Sequence, residues 1–275
     1  MSLREELGEQ LKRLRLSGLE ESLDPRLEQA AEDQLGHLEF LYRLFSDEVA
    51  RREKRQLELR LRRARFDQEK VLEDFDFSFN PKLPKSKILE LGTGRFVTEN
   101  VNLILIGPTG VGKSHLAQAL GHQACRAGRT VRYTSAVALV AELNAARADD
   151  TYEAALKRFV KPELLIVDDL GLRPLRGEAP YDLYELIRRR YERGATIWTS
   201  NRDVSGGEWG NLFGDPLLAS AALDRLLHHS EILVLEGDTY RNPRKRRAPS
   251  PKPKPKPKAE EPPKDEDDEG QGVAP

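Results

Sequence analysis

An apolar run, VNLILI at 101–106, leads straight into Gly107-Pro108-Thr109-Gly110-Val111-Gly112-Lys113-Ser114 and then into a helical pattern at 113–127. This junction constrains the chain more than any other feature. The loop fits G-x-x-x-x-G-K-[ST] in the strand–loop–helix setting that the motif requires. Gly110 and Gly112 let the backbone curl so that its N–H groups face a phosphate chain. The helix start beyond them adds free donors and a favourable dipole. Lys113 supplies a positive charge for the β- and γ-phosphates, and the Ser114 hydroxyl suits Mg2+, a small ion that prefers oxygen. Residues Gly107 to His115 are therefore expected to bind ATP with Mg2+. Such a loop needs a buried strand behind it, so the expected fold class is α/β with a parallel sheet.

The rest of the chain supplies that sheet. VRYTS (131–135), LLIVDD (164–169), ATIWTS (195–200) and EILVL (231–235) are apolar runs of strand length, with helical patterns near 136–147, 151–160, 180–193 and 215–228 between them. Strands buried on both faces and separated by helices imply a parallel sheet covered on two sides. A phosphate loop also needs a carboxylate on the metal side. LLIVDD puts Asp168 at the carboxyl end of a buried strand, where open parallel sheets bind their ligands. Ser114 and Asp168 are the expected Mg2+ residues, and Asp169 is the candidate for polarising the attacking water. A further strand ends in Thr199-Ser200-Asn201, whose carboxamide can orient that water or touch the γ-phosphate. Arg225, in LDRLLHH, is the candidate for a finger reaching a neighbouring subunit's nucleotide. Lys113, Asp169, Asn201 and Arg225 make up the expected catalytic set.

The net charge of −1 hides an asymmetry. Residues 241–258 carry nine basic residues and no acid, whereas 259–275 carry seven acids and one Lys. Nine of the 17 prolines fall in the last 35 residues. Alternating Pro-Lys cannot bury a core, so 242–275 is expected to be a disordered tail. A single Cys excludes a disulfide framework and a Cys-based zinc site. No apolar run approaches the roughly 20 residues that span a bilayer, and the N-terminus lacks the order of a signal peptide. A soluble, cytoplasmic protein with no membrane partner is expected.

Residues 1–70 are expected to form a small helical domain. Leu3, Leu7, Leu11 and Leu14 recur at helical spacing, as do Leu38, Leu41, Phe45 and Val49. Asp24-Pro25 reads as an N-cap followed by Pro at the first helical position. Residues 51–65 hold eight basic residues and two acids. On a helix, Leu57, Leu61 and Ala64 would share one face, and Glu58 would pair with Arg62. Arg51, Arg52, Lys54, Arg55, Arg60, Arg62, Arg63 and Arg65 would then either contact DNA phosphates or form a solvated, salt-bridged surface. There is no aromatic ladder of the kind single-strand binders use. Residues 71–95 read as a linker, in which Phe75 and Phe77 either wall the base pocket or pack the linker on the core. Trp209 and Phe213 read as packing residues. His228 and His229, adjacent on a helix, are expected to point about 100° apart and so not to share a metal.

The order of phosphate loop, strand, Walker B strand, Asn strand and Arg-bearing helix resembles that of AAA+ ATPases. LGLRPL (170–175), LYELIRRRYERGATIWTSNR (183–202) and EWGNLFGDPLLASAALDRLLHHSEILVLEGDTYR (208–241) look like the IstB-like ATPases, helper proteins of a class of bacterial transposons. ARFDQEKVLEDFDFSFNP (64–81) resembles the segment that joins their N-terminal domain to the ATPase core. The DnaC- and DnaI-like helicase loaders are the nearest cousins. The resemblance implies a sheet of order 5-1-4-3-2, an ATPase core at 96–241 and no C-terminal lid domain. It further implies homo-oligomers that form with ATP on duplex DNA and bend it, and an IstA-like transposase that receives this target. Hydrolysis would reset the assembly, and the N-terminal domain would serve assembly, DNA and transposase contacts. Asp169 departs from the Glu of many AAA+ proteins and is one methylene shorter, which predicts slow turnover. The SGG at 205–207 looks like an insertion. The rival readings are a helicase loader, a P-loop phosphotransferase, and an assembly protein that binds ATP but rarely hydrolyses it.

Overall fold

A computed structural model describes residues 2–78, 80, 83–203, 208–237 and 239. The expected tail at 242–275, the SGG at 205–207 and Tyr240-Arg241 lie outside the described residues. In chain order the elements are α1 (Leu3–Arg13), α2 (Ser17–Glu32), α3 (His37–Ala64), α4 (Lys85–Gly92), α5 (Arg95–Thr98), β1 (Asn102–Ile106), α6 (Lys113–Arg126), β2 (Val131–Ser135), α7 (Ala136–Ala148), α8 (Tyr152–Val160), β3 (Leu164–Leu170), α9 (Ala179–Arg190), β4 (Ala195–Ser200), α10 (Gly210–Phe213), α11 (Pro216–His228) and β5 (Ser230–Val234).

Strand alternation builds two cores from one sheet. Successive side chains of a strand point to opposite faces. Leu103, Leu105, Leu164, Ile166 and Ile197 accordingly pack with α4 and α6 on one face. Ile104, Ile106, Leu165, Val167 and Trp198 pack with α7, α8, α9 and α11 on the other. All the pairings are parallel, in the order β2-β3-β4-β1-β5. That is the order the resemblance implies, read from the opposite edge. It sets β4 between β1, which feeds the glycine loop, and β3, which carries Asp168. The fold is an AAA+ P-loop core.

One irregularity lies where function was expected. Val167 pairs with Trp198, and the next pair is Leu170 with Ser200, so β3 carries one extra residue there. Asp168 and Asp169 occupy this bulge, and Asp169 has a left-handed backbone (φ 57°). A bulge bends its strand and re-aims its side chains.

The N-terminal helices follow the expected spacing, and most of the spaced residues are not buried. Leu19, Leu23 and Leu44 form a small core with Leu11, Leu16 and Phe40 around it. Leu3, Leu7, Leu14, Leu38, Leu41, Phe45 and Val49 are exposed in the single chain. The Asp24-Pro25 reading is corrected: α2 starts at Ser17, and Pro25 lies inside it. Proline there removes one backbone donor and costs about 3 kcal/mol in an isolated helix. Burial of Leu19 and Leu23 before it and an Arg26–Asp47 ion pair (2.8 Å) after it offset that cost. Asp24 is used instead by Arg4, at 2.7 Å. The true start of α2 is capped from α3: the buried Glu48 carboxylate accepts from the Gly18 and Leu19 amides at 2.7 and 3.2 Å. A Cβ at 18 would lie 2.3 Å from that carboxylate, so a larger residue there would displace the cap.

α3 is continuous for 28 residues. Its first half pairs with α2, and its second half lies on α6 and β2. Ala64 is fully buried, with Leu57 and Leu61 packed beside the same core, as their shared face predicted. Among the described residues, no helix is long and apolar enough to cross a membrane.

Candidate active site

The glycine loop opens α6 with two residues in backbone conformations that favour glycine, Gly110 (φ 89°) and Gly112 (φ 102°). A Cβ at Gly112 would also lie 3.2 Å from the Phe75 ring. Val111 is buried in the core and anchors the loop tip, while Pro108 and Thr109 stay exposed. Lys113 is 5% exposed, and its ammonium donates to the carbonyls of Gly107 (2.8 Å) and Pro108 (2.9 Å) and to Oδ1 of Asn201 (2.5 Å). Asn201 in turn donates to the Thr109 hydroxyl at 3.0 Å. The end of β4 is thus tied to the loop through Asn201.

Asp168, 4% exposed, collects hydroxyl donors on both oxygens. Oδ1 accepts from Ser114 at 3.0 Å and from Thr199. Oδ2 accepts from the Tyr133 phenol at 2.8 Å. Burial, and then the charge of Asp168, push the Tyr133 phenol well above its usual range, so it remains a donor. The Thr199 hydroxyl also accepts the Asp169 amide at 2.9 Å, which fixes the bulge. Ser114 and Asp168 present hard oxygen atoms side by side at the start of a helix, and this donor set fits Mg2+. Tyr133 and Thr199 were not singled out from sequence. The available signal was a hydroxyl near the carboxyl end of each strand, Tyr133 in VRYTS and Thr199 in ATIWTS, which does not by itself name a partner.

A cavity of about 540 Å3 lies over the loop. Lys113, Ser114, Asp169, Asn201, Phe75 and His115 are among its lining residues. Phe75 also packs on the core, with its ring 4.9 Å from Phe77 and 5.1 Å edge-on to His115. Phe75 therefore fits both sequence readings, while Phe77 serves packing. Burial holds His115 below its usual pKa, so it is neutral at neutral pH, and its Nε2 is buried without a hydrogen-bond partner.

Other expected residues lie elsewhere. Arg225 is not brought to this cavity. It donates to Ala221 O at 2.8 Å and sits over the Tyr184 ring at 5.6 Å. Three of the eight basic candidates on α3 are engaged within the chain: Arg51 with Ser17 and Glu21, Arg52 with Glu48 and Arg15, and Arg60 with the Cys125 carbonyl. Lys54, Arg55, Arg62, Arg63 and Arg65 are exposed. The expected Glu58–Arg62 pair does not form among the described ion pairs. The expected divergence of His228 and His229 is also corrected. α11 ends at His228, and His229 leaves the helical conformation (φ −124°, ψ 67°). Their rings come within 4.3 Å, and with exposed Glu192 they bring three potential metal-binding atoms within 4.8 Å of one another. Trp209 and Phe213 are buried in the core, as expected.

Comparison with known proteins places the chain among relatives. The family described as IstB-like ATP binding protein matches residues 9–248. An insertion-sequence ATP-binding protein of Mycobacterium tuberculosis is 43% identical over 237 residues, covering 86% of this chain and 93% of its own. The IS21 ATP-binding protein of Pseudomonas aeruginosa is 40% identical over 243 residues, covering 88% and 91%. Among solved structures, DnaI is similar with a TM-score of 0.52 and 21% identity, covering 62% of this chain and 90% of that one. AMPPCP-bound DnaA from Aquifex aeolicus gives a TM-score of 0.51 at 21% identity, covering 63% and 52%. At that identity the likeness concerns the fold alone.

Proposed function

Because this chain belongs to the IstB-like ATP-binding family of insertion sequences, we propose that it is an ATP-hydrolysing helper of transposition, which assembles on duplex DNA and delivers it to an IstA-like transposase. The observation that carries this reading is the convergence of Lys113, Ser114 and Asn201 on one cavity, with Asp168 hydrogen-bonded to Ser114 beside it, in a chain aligned over most of its length with insertion-sequence ATP-binding proteins.

In this reading the loop amides and the α6 start bind the phosphates, and Lys113 moves from its carbonyl partners to the β- and γ-oxygens. Ser114 and Asp168 hold Mg2+, which when bound neutralises charge on those phosphates. Asn201 orients the γ-phosphate end, and Asp169 polarises the attacking water from the bulge. Its short side chain makes hydrolysis slow, so the ATP-bound assembly persists long enough to present its DNA. Arg225 acts in trans on a neighbouring copy, since it is remote from its own cavity. The N-terminal helices contribute assembly, transposase and DNA contacts, the last through the exposed basic side of α3.

Light scattering with an ATP analogue or ADP, each with duplex or single-stranded DNA, tests this. Large particles are expected with the analogue plus duplex and not with Lys113→Ala. Particle size indifferent to nucleotide overturns the mechanism, and preference for single strands with a bound replicative helicase favours a loader.

A further inference from the structure

The Tyr133 hydroxyl stands between two carboxylates. It lies 2.8 Å from Oδ2 of Asp168 and 3.0 Å from Oδ2 of Asp67. A phenol has one proton to give, so only one of the two receives a full hydrogen bond at a time. The claimants differ. Asp168 is buried within the cation-side network. Asp67 is exposed and lies two residues beyond Arg65, the left-handed residue (φ 58°) that ends α3.

We propose that Tyr133 is a positioning residue for Asp168, and that its shared proton couples cation occupancy at Asp168 to the joint where α3 meets the sheet. The proposal rests on the nucleotide-site reading above. A buried carboxylate without a cation needs every donor within reach, because an unsatisfied buried charge is costly. The Tyr133 proton then belongs to Asp168. Positive charge at Asp168 removes that need, and the same proton strengthens the bond to Asp67. Only a hydroxyl rotation is required.

The joint is built to feel that change. The Gln68 amide donates to the Gln118 side chain of α6 at 3.0 Å. The Phe66 ring lies 6.3 Å from the Tyr133 ring. Residues 66–68 are thus held by α6 on one side and by Tyr133 on the other. Immediately before them runs the helix whose exposed arginines are the DNA candidates.

Hydrogen exchange read by mass spectrometry over residues 65–72 tests the coupling in the full chain. It is measured with ADP plus EDTA and with ADP plus Mg2+, beside a Mg2+ titration using fluorescent ADP. In the unaltered protein, Mg2+ should slow exchange there about tenfold beyond ADP alone. Tyr133→Phe should lose that slowing and bind Mg2+ no more weakly than the unaltered protein, because it is the cation-free Asp168 that loses a donor. Asp67→Ala, a change at an exposed side chain that spares folding, should also lose the slowing and, because coupling is reciprocal, bind Mg2+ more weakly by up to about tenfold. ADP binding with no effect of Mg2+ on this stretch overturns the coupling and leaves the nucleotide site standing. Retention of the slowing in either variant overturns it as well. Failure of the unaltered protein to bind ADP removes both readings.

Discussion

At the scale of single residues, Lys113, Ser114, Asp168 and Asn201 meet because each sits at a strand end or loop that the sheet order brings together. Tyr133 and Thr199 came from neighbouring strands, and no local spacing announces a partner across a sheet. His122 makes a residue-scale prediction. Its ring nitrogens are buried without hydrogen-bond partners. Burial, and then the charge of Arg126, lower its pKa from the usual 6.5. The unfolded chain therefore takes up a proton near pH 6.5 that the folded protein refuses, so stability falls as pH drops below that value. His122→Leu should make urea midpoints less sensitive to pH between 7.5 and 5.5, and higher at the acid end. An unchanged slope would remove His122 from the acid response, leaving His115, whose pKa is lowered in the same direction.

At the scale of elements, the strands lie within a residue or so of their expected bounds; β1 and β3, buried on both faces, demand apolar runs, whereas the edge strand β5 leaves Ile232 and Val234 exposed against the expectation of two covered faces. The N-terminal helices were less legible. Periodicity fixed which residues share a face, yet Leu38, Leu41, Phe45 and Val49 show that a shared face need not be buried in one chain. The start of α2 was missed for another reason: its cap, Glu48, arrives from a helix 30 residues away. Glu48→Ala should destabilise the protein by about 1–3 kcal/mol in urea titration, since two helix-end amides lose their acceptor in a buried setting. Glu48→Gln, which keeps an acceptor, should recover part of this; equal losses would mean that packing rather than capping is at stake. α3 makes a second prediction. Reversing the charge of Lys54, Arg55 or Arg62 should each weaken duplex DNA binding and reduce the salt slope by about one phosphate equivalent. Arg60→Ala should leave that slope unchanged and lower thermal stability instead, because Arg60 holds the Cys125 carbonyl.

At the scale of the whole molecule, ligand and fold are linked. Phosphate loop, β3 bulge and β4 end converge on one cavity, so a nucleotide binds only the folded chain. ADP with Mg2+ at a hundredfold excess over its dissociation constant should add about 2.7 kcal/mol of stability and raise the melting temperature. Lys113→Ala should abolish that rise at the same concentration; a persisting shift would place binding elsewhere. The continuity of α3 bears on the same scale. At a rise of about 1.5 Å per residue its 28 residues make a rod about 42 Å long. One end is rooted on β2 and α6 near the Asp168 carboxylate, and the other carries the α1–α2 pair. A rod amplifies: a tilt of about 5° at the root sweeps the far end by nearly 4 Å. The chain thus carries a lever arm whose fulcrum lies beside the strand that carries Asp168.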